Sequence, residues 1–249
     1  MSQNTGASQG SKGPTKVFPS PEAALDGLAD GHVVLVGGFD GLGSPEALIK
    51  ALSVRGIGNL TCICQGAWMP GPQGGNSGLV QLAASGLISK LMAPLPFQTV
   101  DSSEWAPIEE RWKSGLLEIE TVPQGILAER LRAGGSGLGG VFLPTGVGGR
   151  FQDGREVRQF DGQDHVFHPA IHADFALIRA AVADVVGNLV FDGAHRNWNP
   201  VMAMAATVTI AEVDEIRELG GLDPELVISP GIFVNRVVQT LSPACESWK

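Results

Sequence analysis

The stretch from Asp30 to Pro45 (Asp-Gly-His-Val-Val-Leu-Val-Gly-Gly-Phe-Asp-Gly-Leu-Gly-Ser-Pro) constrains the fold more than any other part of the chain. Residues 33–36 are a continuous apolar run rich in β-branched side chains, the pattern of a strand buried on both faces. A glycine-rich turn ends the run. Ser44 then has the side chain of an N-cap, Pro45 suits the first helical position, and Glu46 complements the positive end of a helix. Ala47, Leu48, Ala51 and Leu52 keep helical spacing until Gly56 offers a stop. A strand that feeds a helix through bare backbone presents N–H groups to an anion. Gly37, Gly38, Gly41 and Gly43 put no side chain in the way. The same glycines also fit a plain strand-to-helix turn, and from the residues alone both readings stand. The spacing is not that of a P-loop, because Gly43-Ser44-Pro45 stands where that motif needs Gly-Lys-Ser/Thr.

Strand and helix patterns go on alternating. Strands are expected at 60–64, 88–92, 117–121, 175–180, 188–191 and 208–213, with helices near 79–84, ending at 115, over 124–133 and over 200–206. Such alternation predicts an α/β fold of three layers, α/β/α, around a mainly parallel sheet. Residues 156–160 and 164–167 flank Asp161-Gly162 and read as an inserted β-hairpin. Residues 1–16 are rich in Ser, Gly, Gln and Asn and read as a disordered tail, 17–240 as one domain, and 241–249 as a C-terminal tail. The segment 66–78 is a long Gly/Pro loop that carries Trp68.

The 249 residues suffice for one sizeable core, and a net charge of −9 argues against a nucleic-acid or anionic membrane surface. An anionic ligand must then be held by local backbone rather than by the overall field. Of the three cysteines, Cys62 and Cys64 flank Ile63 in an apolar strand and share a face, which reads as buried reduced thiols. With neither a leader nor an apolar span of about 20 residues, a cytoplasmic location is expected. Gly135-Ser136-Gly137-Leu138-Gly139-Gly140 matches G-x-G-x-x-G, yet it follows a helix rather than a strand, so the dinucleotide reading fails its context. His165, His168 and His172 stand three and four residues apart but straddle a hairpin strand and a proline turn, which favours structural or surface roles over a metal face. His32 and His195 have no evident base partner.

Further motifs run along the chain in order: Val122-Pro123-Gln124-Gly125-Ile126-Leu127-Ala128-Glu129-Arg130, Arg132-Ala133-Gly134-Gly135, Pro144-Thr145-Gly146-Val147-Gly148, Ala173-Asp174-Phe175-Ala176-Leu177-Ile178, Gly187-Asn188-Leu189-Val190, Arg196-Asn197-Trp198-Asn199-Pro200 and Pro230-Gly231-Ile232-Phe233-Val234. Together with the opening stretch they resemble the α (A) subunit of the family I coenzyme A transferases, from about Val17 to Val238. The resemblance implies partnership with a homologous β subunit in an α2β2 heterotetramer, with coenzyme A and acyl-CoA as substrates and no permanently bound cofactor or metal. It implies a β-subunit glutamate that attacks acyl-CoA and ping-pong transfer to a short acid. The family's Ser-Glu-Asn-Gly nucleophile motif is absent here, and Glu218-Leu219-Gly220 has only its outline, so no catalytic residue is expected on this chain.

What the resemblance leaves for this subunit is positioning. Gly37, Gly38, Phe39, Asp40, Gly41, Leu42 and Gly43 match the loop that the family assigns to CoA binding. Gln124 matches a glutamine near the substrate carboxylate, and a neutral amide donates to a carboxylate without forming a full ion pair. Where relatives carry Ser-Asn-Asn-Ala-Gly, this chain has Cys64-Gln65-Gly66-Ala67-Trp68, so Gln65 stands in for one asparagine and Trp68 adds an aromatic wall. That departure keeps open two alternatives: a CoA-thioester hydrolase or ring-opening enzyme on the same fold, and a non-catalytic assembly or ligand-binding subunit.

Overall fold

Alternate strand residues face opposite sides of one sheet. Val34, Val36, Cys62, Leu91, Phe175 and Leu177 enter one apolar cluster, while Leu35, Ile63, Met92, Ala176 and Ile178 enter a second. The computed structural model describes residues 15–39, 41–66, 78–96 and 106–240. The elements run β1 (Val17–Phe18), α1 (Pro21–Ala24), β2 (Val33–Val36), α2 (Glu46–Arg55), β3 (Leu60–Ile63), α3 (Gly78–Ala84), β4 (Ile88–Ala93), α4 (Ala106–Lys113), β5 (Glu118–Thr121), α5 (Gln124–Gly135), β6 (Gly140–Leu143), β7 (Val157–Phe160), β8 (Gln163–Pro169), β9 (Ala173–Asp184), β10 (Leu189–Val190), α6 (Asn199–Met204), β11 (Ala206–Arg217) and β12 (Arg236–Gln239). The main sheet has the order β1-β12-β11-β9-β2-β3-β4-β5 and is parallel throughout, except that β10 pairs antiparallel with β9. Apolar residues of α1 to α4 fill the first cluster and those of α5 and α6 the second, which makes three layers.

A second sheet, β6-β8-β7, is antiparallel. The expected hairpin is β7-β8. Asp161 and Gly162, at φ 49° and 79°, make the left-handed pair that a two-residue turn needs. β6 joins the hairpin as a third strand. Gly139, Gly140 and Pro144 around it read as turn residues and hide the short strand between them.

Several boundaries differ from expectation. β9 and β11 are longer than the patterns at 175–180 and 208–213, because they pair with each other from Ala206–Ala173 to Arg217–Asp184. Lys16, expected in the tail, is tied into the sheet instead. Its N–H donates to Val185 O at 2.9 Å, and its ammonium donates to the carbonyls of Gly231 and Val234 at 2.6 and 2.7 Å. The remainder of that segment, 1–14, and the C-terminal segment 241–249 lie outside the described residues. Cys62 and Cys64 do share a face. Burial pushes both thiols up, Cys64 to about 12, so neither is a thiolate at neutral pH.

His168, on β8, is 2% exposed, and its Nε2 is buried without a hydrogen-bond partner. Burial pushes its pKa down, the Arg155 and Arg130 guanidiniums push the same way, and a backbone contact with Thr145 opposes them. The unfolded chain therefore takes up a proton near pH about 6.5 that the folded chain resists. The stability that this histidine contributes is present at higher pH and is lost as pH falls through the unfolded value toward the depressed folded one. Thermal melts at pH 7.5 and pH 5 check this: His168→Gln, neutral at both, should show a smaller drop in midpoint than the unchanged chain.

Candidate functional site

The chain steps outward from β2 through β3 and β4 to β5. It then returns beside β2 as β9 and continues to β11 and β12. The β2/β9 boundary is thus the point where strand order reverses, and in open α/β sheets ligands bind outside the carboxyl ends of the strands at such a point. Gly37 follows β2 directly at this boundary. Gln65 comes just after β3, and Gln124 opens α5 after β5, so parallel pairing brings all three to one edge of the sheet. Two further expected site residues, Asp40 and Trp68, lie outside the described residues.

The loop is held in a defined shape. Gly37 N–H donates to Leu177 O at 2.9 Å, and Phe39 and Leu42 each donate to the other's carbonyl at 2.9 Å. Gly38, Gly41 and Gly43 adopt φ of 112°, 79° and 71°, a region that a Cβ disfavours. Among the described residues their N–H groups make no hydrogen bond.

The helix that follows corrects the sequence reading. Pro45, not Ser44, occupies the cap position, and α2 begins at Glu46. Ser44 Oγ donates to Glu46 Oε1 at 2.7 Å instead of accepting from the helix. The cap comes from β11: Glu212 Oε2 accepts from Ala47 N–H at 2.9 Å and Leu48 N–H at 3.1 Å. A carboxylate from the same chain thus already complements the positive end of α2. The first-turn amides of Ala47 and Leu48 are thereby already satisfied within the chain.

Glu212 is 2% exposed, and its other oxygen accepts from Arg179 Nη1 at 2.8 Å and Thr240 Oγ1 at 3.0 Å. Arg179 also reaches Asp214 at 2.5 Å. Burial pushes the Glu212 carboxyl pKa up, against the pull of Arg179, the two amides and Thr240. Arg179 and Glu212 are register partners on β9 and β11, and β9 runs on past its last pair with β2, Val36–Leu177, alongside the loop. The motif reading passes over both residues. Their signal in the sequence is a charge inside an apolar strand pattern, Leu-Ile-Arg-Ala and Ala-Glu-Val, which marks a paired buried ion.

Gln65 is 1% exposed, with Oε1 buried and unpartnered, a polar group poised for a donor. Gln124 is exposed at the start of α5, where no side chain caps the helix. His195 lies against Gly43. Its Nδ1 is buried without a partner, and burial first and Arg179 second push its pKa down, which favours the neutral ring. His168 is buried, His165 half-buried and His172 exposed, so the three do not converge. Among the described residues no group of three or more His, Cys, Asp or Glu is placed to hold a metal ion, and no helix is long and apolar enough to cross a membrane.

A parallel sheet with helices on both faces and a bare loop at its switch point defines an α/β ligand-binding scaffold of the coenzyme A transferase kind. The coenzyme A transferase family model matches residues 18–240, and the chain belongs to that family. It is 43% identical to the A subunit of the 3-oxoadipate CoA-transferase of Pseudomonas putida, over 93% of this chain and 96% of that one. It is 44% identical to the A subunit of the succinyl-CoA:3-ketoacid coenzyme A transferase of Xanthomonas campestris pv. campestris (strain B100), over 92% of this chain and 90% of that one. Among solved structures, the glutaconate coenzyme A-transferase of Acidaminococcus fermentans superimposes with a TM-score of 0.75 at 20% identity, covering 91% of this chain and 76% of that one. The acyl-CoA transferase YdiF of Escherichia coli O157:H7 superimposes with the same TM-score of 0.75 at 21% identity. The match covers 93% of this chain but only 49% of YdiF, so this chain spans about half of that longer protein.

Proposed function

We propose that this chain is the α (A) subunit of a heteromeric CoA-transferase that moves CoA from succinyl-CoA to a 3-oxoacid or another short carboxylic acid, with the attacking glutamate on a partner chain. One observation carries the reading. Three glycine amides, unpaired among the described residues, stand at the switch point of a chain that aligns nearly end to end with relatives named as A subunits. The Glu-containing nucleophile motif is missing from this sequence, in keeping with a glutamate supplied from elsewhere.

In this reading the partner's glutamate attacks the thioester carbonyl. CoA thiolate leaves, and an acyl-glutamyl anhydride forms. The thiolate then attacks the glutamyl carbonyl, the first carboxylate departs, and a glutamyl-CoA thioester remains. The acceptor carboxylate reverses both steps and leaves with CoA. The role of this chain is to bind and orient. The amides of Gly38, Gly41 and Gly43 receive the donor's oxygens, while Gln65 and Gln124 offer neutral amides to a carboxylate that must later leave.

Co-expression with a β subunit tests this. CoA transfer from succinyl-CoA to a 3-oxoacid is expected from the pair, is lost when the β glutamate becomes alanine, and is absent from this chain alone. Transfer by the isolated chain would sink the split-site reading. CoA release that needs no acceptor acid would assign the pair to thioester hydrolysis.

A further inference from the structure

Asn199 stands at the start of α6, is fully buried, and touches three separate pieces of the fold. Its Nδ2 donates to Gly43 O at 3.1 Å and to His195 O at 3.0 Å, and its Oδ1 accepts from Arg179 N–H at 3.1 Å. Its carboxamide also occupies the space above the loop's first residue. A Cβ built on Gly37 falls 1.8 Å from Asn199 Oδ1, and one built on Gly43 falls 2.9 Å from Asn199 Nδ2. Two residues earlier, Asn197 Nδ2 donates to Leu42 O at 3.1 Å.

We infer that Asn199, seconded by Asn197, is the positioning residue that clamps the 37–43 loop in its ligand-ready shape. The importance of that shape for CoA binding rests on the proposed function; the clamp itself does not. The physical argument is one of matched valence. Gly43 O, His195 O and Arg179 N–H are backbone groups that no helix or strand ladder satisfies at this junction, and a single carboxamide serves all three. With Gly43 O and Leu42 O held by these side chains, the Gly38, Gly41 and Gly43 N–H groups have no hydrogen-bond partner among the described residues. The glycine at residue 37 is then required because the clamp fills its side-chain space, a different reason from the left-handed φ at residues 38, 41 and 43. Arg179 links the clamp to the Glu212 cap of α2, so the loop and the helix after it are braced through one buried arginine.

Amide hydrogen exchange on the full chain without ligand decides the matter. Asn199→Asp keeps the acceptor to Arg179 and the shape, but sets an oxygen against the carbonyls of Gly43 and His195. Exchange at Phe39 and Leu42, the two amides that close the loop, is expected to accelerate at least tenfold, with amides of β11 unchanged within twofold. Unchanged exchange at Phe39 and Leu42, or equal acceleration throughout the chain, overturns the clamp. Should that variant fail to fold, Asn197→Ala removes the Leu42 tie, together with the local bonds of Asn197 to Ala194 O and Trp198 N–H, and leaves the Asn199 carboxamide in place. A smaller acceleration confined to residues 39–43 then supports the clamp, and none overturns it. Free coenzyme A added to the unchanged chain reads the other claim: absence of protection over 38–43 counts against the CoA-loop assignment, whereas the ligand-free arm alone judges Asn199.

Discussion

Replacing Arg179 with methionine is expected to cost about 3–5 kcal/mol of folding stability, because it leaves the Glu212 carboxylate buried beside no cation. The size of the effect follows from position. The side chains of Arg179 and Glu212 are 9% and 3% exposed, so water does not screen the pair, unlike the exposed Arg217–Glu215 contact. Glu212→Leu is expected to cost a similar amount for a different reason, since it strips the cap from Ala47 and Leu48 and leaves Arg179 with Asp214 alone. The double variant separates these causes. Removing both charges restores the electrostatic part, but the two helix amides stay uncapped, so a deficit of about 1–2 kcal/mol should remain. Urea unfolding of the four proteins measures it. A double variant as stable as the unchanged chain would show that Glu212 serves only as the partner of Arg179.

Gly134→Ala is the second large effect. A Cβ at residue 134, near the end of α5, falls 1.9 Å from the carbonyl oxygen of Ile171 and 2.9 Å from its carbon. The obstacle is backbone, and it is pinned: Ile171 N–H donates to Arg130 O at 3.0 Å, and Ala173 N–H donates to Ala205 O at 2.9 Å. Alanine gains about 1 kcal/mol in helix propensity over glycine. That gain is small beside the cost of forcing α5 off the connection between β8 and β9, and the net loss is expected to be about 3 kcal/mol or more. Because α5 begins at Gln124, a displaced helix also carries that residue away from the sheet edge. Thermal melting checks the stability loss, and a Tm at or above that of the unchanged chain would refute the contact.

Most of the α/β architecture is legible in the residues. The apolar run at 33–36, the period-two burial of Cys62 and Cys64, and the Asp161-Gly162 turn each reflect a local rule that the tertiary structure obeys. The misses share a physical cause. β6 and β12 stand beside turn-forming residues and form where a neighbour offers a ladder, β6 on β8 and β12 between β1 and β11. The lengths of β9 and β11 are set by their mutual pairing, which neither segment reveals alone. At the site, the loop and the two glutamines are visible as residue types at strand ends. The residues that brace the loop and the helix after it are not, because Asn199 bonds Gly43 from 156 residues away and Glu212 bonds Ala47 from 165.

The amino-acid order by itself determined where the chain must turn: glycines where φ is positive, β-branched runs where strands are buried on both faces, and helical spacing after Pro45. It also carried the family motifs. What the tertiary structure alone decided is who satisfies the backbone at those turns. Ser44 has the chemistry of a helix cap and sits in the right place along the chain, yet its hydroxyl turns to Glu46 and the cap is Glu212. Local sequence can specify that a helix start needs an acceptor, because the unpaired amides are a property of the helix itself. Which acceptor arrives depends on strand pairing across the sheet, and a buried carboxylate held by Arg179 prevails over a nearby hydroxyl.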